Sequence, residues 1–195
     1  MTPHSVSTAL SPSREAHSQR LGDNAELVIA PAFFSDMGWE YTKSSVTDNR
    51  INHFDYIVKR ENVERKVEVK APKNCRNKKH SLLCPVLLEY TGIAGYPGWL
   101  RGQADVILQV ITDDSLIAYH RLDALKAYKP PGEIVERYYS SNPPLQKWFG
   151  RQGVSRTGAP NQDIIRWEPY KAFVRDTNAL VYRKVDGRWQ RCALN

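Results

Sequence analysis

Residues 54–71 constrain the fold more than any other part of the chain. Phe54 to Lys59 and Lys66 to Ala71 read as strands, and they flank the short polar connection Arg60-Glu61-Asn62, which suits a hairpin. In the second run, Lys66-Val67-Glu68-Val69-Lys70 alternates charged with apolar residues. Side chains alternate across a strand, so Lys66, Glu68 and Lys70 share one face while Val67 and Val69 share the other.

The rest of the chain extends this pair into a sheet with helices. Asp23-Asn24 is a candidate helix N-cap, followed by Leu27, Ala30, Phe33, Phe34 and Met37 at helical spacing. Pro31 conflicts with a continuous helix: either the helix bends there, or a second segment starts with Pro31 in its first turn. Gly38 marks the stop. Leu82 to Tyr90 and Ala104 to Thr112 are apolar enough for central strands covered on both faces. Leu116 to His120 reads as a short strand, 122–128 and 133–140 as short helices, and 141–163 as loop. Ile164 to Trp167 reads as a further strand, and Tyr170 to Tyr182 as a closing helix. This order predicts an α/β fold with a mixed central β-sheet flanked by helices. Residues 1–20 lack apolar periodicity and are expected to form a flexible tail. Residues 21–195 are expected to form a single domain in which 121–195 is a helical and loop extension.

The chain has 195 residues, 41% of them hydrophobic, which places it with folded rather than disordered chains. Lys and Arg number 28 against 21 Asp and Glu, a formal charge of +7, which favours an anionic partner. No run reaches the roughly 18 apolar residues of a membrane span, and no signal peptide is expected at the N-terminus. Three cysteines, Cys75, Cys84 and Cys192, are too few for a disulfide framework and suit a reducing, cytoplasmic compartment.

Asp55 lies at the start of the first hairpin strand, and Glu68 on the second. Two carboxylates on adjacent strands can converge on a hard divalent cation such as Mg²⁺, leaving coordination for water and a phosphate. Lys70, two residues from Glu68, lies beside that point, where an ammonium can orient water or neutralise phosphoryl charge. On spacing alone, an ordinary charged surface hairpin with cross-strand pairs explains the same alternation.

Upstream, Glu26 supplies a third carboxylate on the predicted helix. The ordered set Glu26, Gly38-Trp39-Glu40, Ser44-Ser45, Asp55 and Glu68-Val69-Lys70 resembles the core of the PD-(D/E)XK nuclease superfamily. Its order and gaps are similar to those of archaeal Holliday-junction resolvases and small phage-type nucleases over residues 22–110. Asp55 follows Phe54 rather than the proline of the family's motif. The resemblance implies a restriction-endonuclease-like core and a metal-dependent DNA endonuclease that leaves 5′-phosphates. It further implies that Asp55, Glu68 and the Val69 carbonyl hold Mg²⁺, with Mn²⁺ able to substitute. Lys70 then positions the attacking water, and Glu26 holds a metal-bound water or a second ion. The alternative is a nucleic-acid-binding or scaffold protein that keeps the fold without cleavage.

Other features are weaker. The segment Arg65–Lys79 is strongly basic, and Lys73, Arg76, Lys78 and Lys79 are candidate DNA contacts. Cys75, His80 and Cys84 match no common zinc spacing. Glu89, inside an apolar strand, is a secondary site candidate. The glycine-rich run 92–98 lacks a phosphate-loop pattern. Asp105 either buttresses the site or caps its strand. The mixed aromatic and basic segment 137–156 suits base stacking, a homodimer interface or the core equally.

Overall fold

The computed structural model describes residues 12–71, 85–91, 98–111, 116–127, 135–138 and 162–193. It is a mixed α/β protein. A seven-stranded sheet runs in the order β1 (Glu40–Lys43), β2 (Tyr56–Arg60), β3 (Val63–Lys70), β5 (Val106–Val110), β6 (Leu116–Arg121), β9 (Leu180–Val185) and β10 (Arg188–Cys192). The β3–β5 pair is parallel and the other pairs are antiparallel, so the sheet is mixed. The connection from β3 to β5 leaves this sheet to supply β4 (Pro85–Thr91). That strand pairs with β8 (Gln162–Pro169), and β8 with β7 (Val135–Tyr138), in a second, three-stranded sheet.

The N-terminal helix begins earlier than the sequence predicts. α1 (Pro12–Asn24) makes residues 12–20 helical where a flexible tail is expected, and Asn24 is itself helical with no side-chain cap. Local pairs one turn apart support it: Gln19 Nε2 donates to Asp23 Oδ1 at 2.8 Å. A π-helical turn, Ala25–Ile29, then leads into α2 (Ala30–Asp36), with Pro31 in the first turn of α2. The wider turn meets the proline conflict, since the Ala30 N–H reaches back to Ala25 O. It also changes the helical phase. Leu27 is 53% exposed, although its spacing predicts burial, while Ala25, Ile29, Ala30, Phe33 and Phe34 are buried. Gly38 ends the helix at φ +71°, with the Trp39 N–H closing onto Phe34 O at 2.8 Å.

The predicted hairpin forms with register Tyr56↔Val67 to Arg60↔Val63, turning at Glu61 with φ 54°. Val67 and Val69 pack under the helical segment, in a core with Phe33, Phe34, Tyr56 and Leu108. The opposite face of the main sheet meets a second core that includes Phe54, Leu88, Trp99, Ile107 and Phe173. β5 is buried along its whole length, as its apolar sequence predicts. Leu82 to Tyr90 reads equally apolar, yet its described part is β4, on the three-stranded sheet rather than at the centre. An apolar run reports burial on both faces and not which sheet provides it.

Residues 121–195 depart most from expectation. α3 (Leu122–Ala127) is present, but the described part of 133–140 is strand β7, and the closing helix α4 (Tyr170–Thr177) gives way to the β9–β10 hairpin. The described part of the extension is therefore largely strand rather than helix and loop. Asp186 (φ 48°) and Gly187 (φ 79°) form the tight turn, which fits a two-residue hairpin loop. Val-Tyr-Arg-Lys-Val shows little hydrophobic contrast because the edge hairpin buries few residues, Val181 and Trp189 among them. Among the described residues, no helix is long and apolar enough to cross a membrane.

His120 on β6 is 2% exposed, lies edge-on to Phe173 at 5.0 Å, and has no hydrogen-bond partner on either ring nitrogen among the described residues. Burial lowers its pKa from 6.5 to about 3. The unfolded chain therefore takes up a proton below pH 6.5 that the folded chain refuses, and stability falls as pH drops from 6.5 toward 3. The slope is about 1.4 kcal/mol per pH unit. His120→Leu is expected to remove this slope, and denaturant unfolding at pH 7, 5.5 and 4.5 checks it.

Candidate active site

Asp55 sits where the chain enters β2. Its N–H donates to Val67 O and its carbonyl accepts from the Ser44 N–H, both at 2.8 Å. The carboxylate is thus folded against β3: the Val69 N–H donates to Oδ2 at 2.7 Å, and Asn49 Nδ2 donates to Oδ1. Glu68, one residue before Val69, is 4% exposed. Its Oε1 is ion-paired with Lys70 Nζ, as the shared strand face predicts, and its buried Oε2 has no partner among the described residues.

The charges of these groups act on one another. Burial first, and the Glu68 charge second, push the Asp55 carboxyl from 3.8 up to about 7; Lys70 and the Val69 N–H partly offset this, and Glu26 adds to it. Burial pushes the Lys70 ammonium down, but Glu68 beside it more than offsets that, with Asp55 and Glu89 contributing, so it titrates above its ordinary range. Lys70 is accordingly a cation at neutral pH, a hydrogen-bond donor and not a base.

Glu26 stands in the π-helical turn. Its carbonyl accepts from Tyr56 Oη at 2.7 Å, and its carboxylate pairs with Lys43 at 2.9 Å. Burial, then the charges of Glu26 and Asp55, raise the Tyr56 phenol to about 12. Glu26 is therefore within electrostatic reach of Asp55, with its carboxylate turned to Lys43. Glu89 is half-buried at a bulge of β4, and its charge also reaches Lys70. Gly98 permits this packing, since a Cβ there would lie 2.3 Å from Glu89 O.

Asp105 ties strands together rather than entering the acid cluster. Its Oδ2 accepts from the Lys66 N–H and its N–H donates to Lys66 O, both at 2.8 Å. Lys73, Arg76, Lys78 and Lys79 lie outside the described residues, as do Cys75, His80 and Cys84. Of the 137–156 segment, Arg137 and Tyr138 are described, on β7.

Asn49 and Tyr56 are neighbours of the acids that sequence reasoning passes over. Tyr56 reads as a plain strand aromatic. Asn49 belongs to a π-helical turn, Asp48–Asn52, whose polar sequence has no periodicity to place it.

The donor set suits a hard cation in kind: buried carboxylates whose charges act on one another, one with an oxygen that has no partner among the described residues. It does not form a complete cage, since no group of three or more His, Cys, Asp or Glu converges among the described residues. No family model, no curated protein and no solved structure matches the chain.

Proposed function

We propose that the protein is a Mg²⁺-dependent deoxyribonuclease with a restriction-endonuclease-like core, acting as an endonuclease on DNA. The observation that carries this reading is that Asp55, at the entry to β2, is bound to the Val69 N–H between the ion-paired Glu68 and Lys70 of β3, with Glu68 Oε2 buried and without a partner among the described residues. A buried Asp55 carboxyl whose proton affinity is raised by burial and by the neighbouring Glu68 charge is a strong attractor for a cation. Asp55 and Glu68 would hold it, with the Val69 carbonyl as a further oxygen.

The bound ion would supply charge stabilisation to the phosphoryl group and its leaving oxygen. Lys70, held by Glu68 Oε1, directs a protonated ammonium toward the same point and orients a water or a phosphate oxygen by donating to it. Glu26, whose charge reaches Asp55, would receive a second cation or an ordered water once it releases Lys43. The formal charge of +7 supports a polyanionic substrate.

Labelled linear, nicked, flapped and four-way-junction DNA, incubated with Mg²⁺ or EDTA, tests the reading. Cleavage of at least one form with Mg²⁺ and none with EDTA is expected. Binding without cleavage of any form would favour a nucleic-acid-binding or scaffold role. Replacing Lys73, Arg76, Lys78 and Lys79 together with Ala is expected to weaken DNA binding and flatten its salt dependence, by roughly 0.9 in log–log slope for each phosphate no longer neutralised. An anisotropy titration at several salt concentrations checks this, and an unchanged slope would place the basic segment off the DNA path.

A further inference from the structure

We propose that Asn49 is a positioning residue of the same centre, holding the Asp55 carboxylate in the orientation that receives a divalent cation. The inference rests on the metal-site reading above and concerns a residue that reading does not use.

The turn that carries Asn49 is secured without the Asn49 side chain. Ser45 Oγ donates to Asp48 Oδ2 at 2.7 Å and accepts from the Asp48 N–H at 3.0 Å. Asn52 Nδ2 donates to Asp48 Oδ1 at 2.9 Å. Gln103, just before β5, donates its Nε2 to Asn52 Oδ1 and its N–H to Asn52 O, both at 2.7 Å. The Asn49 N–H itself closes onto Ser45 O at 3.0 Å. Its side-chain amide is directed instead at Asp55 Oδ1.

With the Val69 N–H on Oδ2 and Asn49 on Oδ1, the carboxylate is tied at both oxygens and cannot turn about its Cβ–Cγ bond. An ionised carboxylate has about four acceptor sites, so each oxygen keeps one free for an ion. The chain after the turn is equally fixed. His53 holds φ 51°, and Gly102 packs so closely that a Cβ there would lie 2.6 Å from His53 Cβ. Asn49 thus presents its amide to Asp55 from a rigid base, the arrangement by which outer partners orient metal-binding carboxylates.

Mn²⁺ binding by the full chain, followed through loss of the free-ion electron paramagnetic resonance signal, tests this. Asn49→Ala is expected to weaken Mn²⁺ affinity at least about tenfold, the range for removal of such outer partners. Asn49→Leu, which fills the same space without a donor, should match it. Asn52→Ala breaks side-chain bonds of the turn but not the bond to Asp55, so it should lower the thermal midpoint and leave Mn²⁺ affinity unchanged. Wild-type affinity in Asn49→Ala or Asn49→Leu, or an equal loss in Asn52→Ala, overturns the proposal while leaving the metal site intact. A wild-type chain that takes up no Mn²⁺ overturns the metal reading and this inference together.

Discussion

Glu68→Ala is expected to lower DNA cleavage by about a hundred- to a thousandfold, the scale of losing a preorganised stabilising group in a water-poor site, while DNA affinity without metal stays equal or rises. In the proposed centre Glu68 would have two tasks on two oxygens: Oε1 holds Lys70, and the buried Oε2 would take the ion. Removing the side chain loses the ion's seat and frees the ammonium together. It also removes a negative charge that repels phosphate when no metal is bound, which is why affinity should not fall. Lys70→Ala should lose cleavage too but keep metal uptake, because lysine supplies a cation and not a ligand. Lys70→Arg should not rescue it, since the planar guanidinium does not replace a compact ammonium. Single-turnover cleavage beside anisotropy measures both quantities. Glu68→Ala cutting at the wild-type rate would remove Glu68 from the chemistry.

Asp55→Asn is expected to stabilise the metal-free protein, and increasingly so as pH rises from 4 to 8. The folded chain binds the Asp55 proton with a pKa of about 7, against 3.8 ordinarily, so between those values it holds more protons than the unfolded chain. Stability is then lost as pH rises toward 7. At about 1.4 kcal/mol per pH unit the loss attributable to Asp55 reaches at most about 4 kcal/mol. Asparagine removes the titration, and Asn49 can turn its amide over to accept from it. The His120 slope has the opposite sign below pH 6.5 but is common to both chains, so it cancels in the difference. Mg²⁺ should restore wild-type stability at pH 8 and do little for the variant. Thermal unfolding at pH 5 and pH 8, with and without Mg²⁺, checks the pattern. A midpoint difference that is flat in pH would contradict it.

The hairpin and its charged face were legible because a two-residue period and a short polar turn leave little choice of register. Glu68 and Lys70 follow from that period directly. Asp55 follows less directly, since its carboxylate is set by the Val69 N–H and by Asn49, partners that no spacing announces. The central strand β5 was legible from its unbroken apolar run, but β4 carries the same signal in a different sheet. Leu27 was misplaced because a π-helical turn breaks the helical period by one residue. The β9–β10 hairpin was missed because an edge pair with many charged residues shows little alternation, and Tyr170 to Tyr182 is apolar enough to suggest one continuous helix. Its Asp186-Gly187 turn was the available signal.

Metal-dependent cleavage at Asp55 and Glu68 is tested most directly by calorimetric titration of Mg²⁺ or Mn²⁺ into the wild-type chain, Asp55→Ala, Glu68→Ala and Lys70→Ala, beside DNA cleavage by the same samples. Metal uptake is expected by wild type and Lys70→Ala, none or much less by the two carboxylate variants, and cleavage by wild type alone. Wild-type protein that takes up no metal and cuts no DNA, or carboxylate variants that bind metal as wild type does, would contradict it.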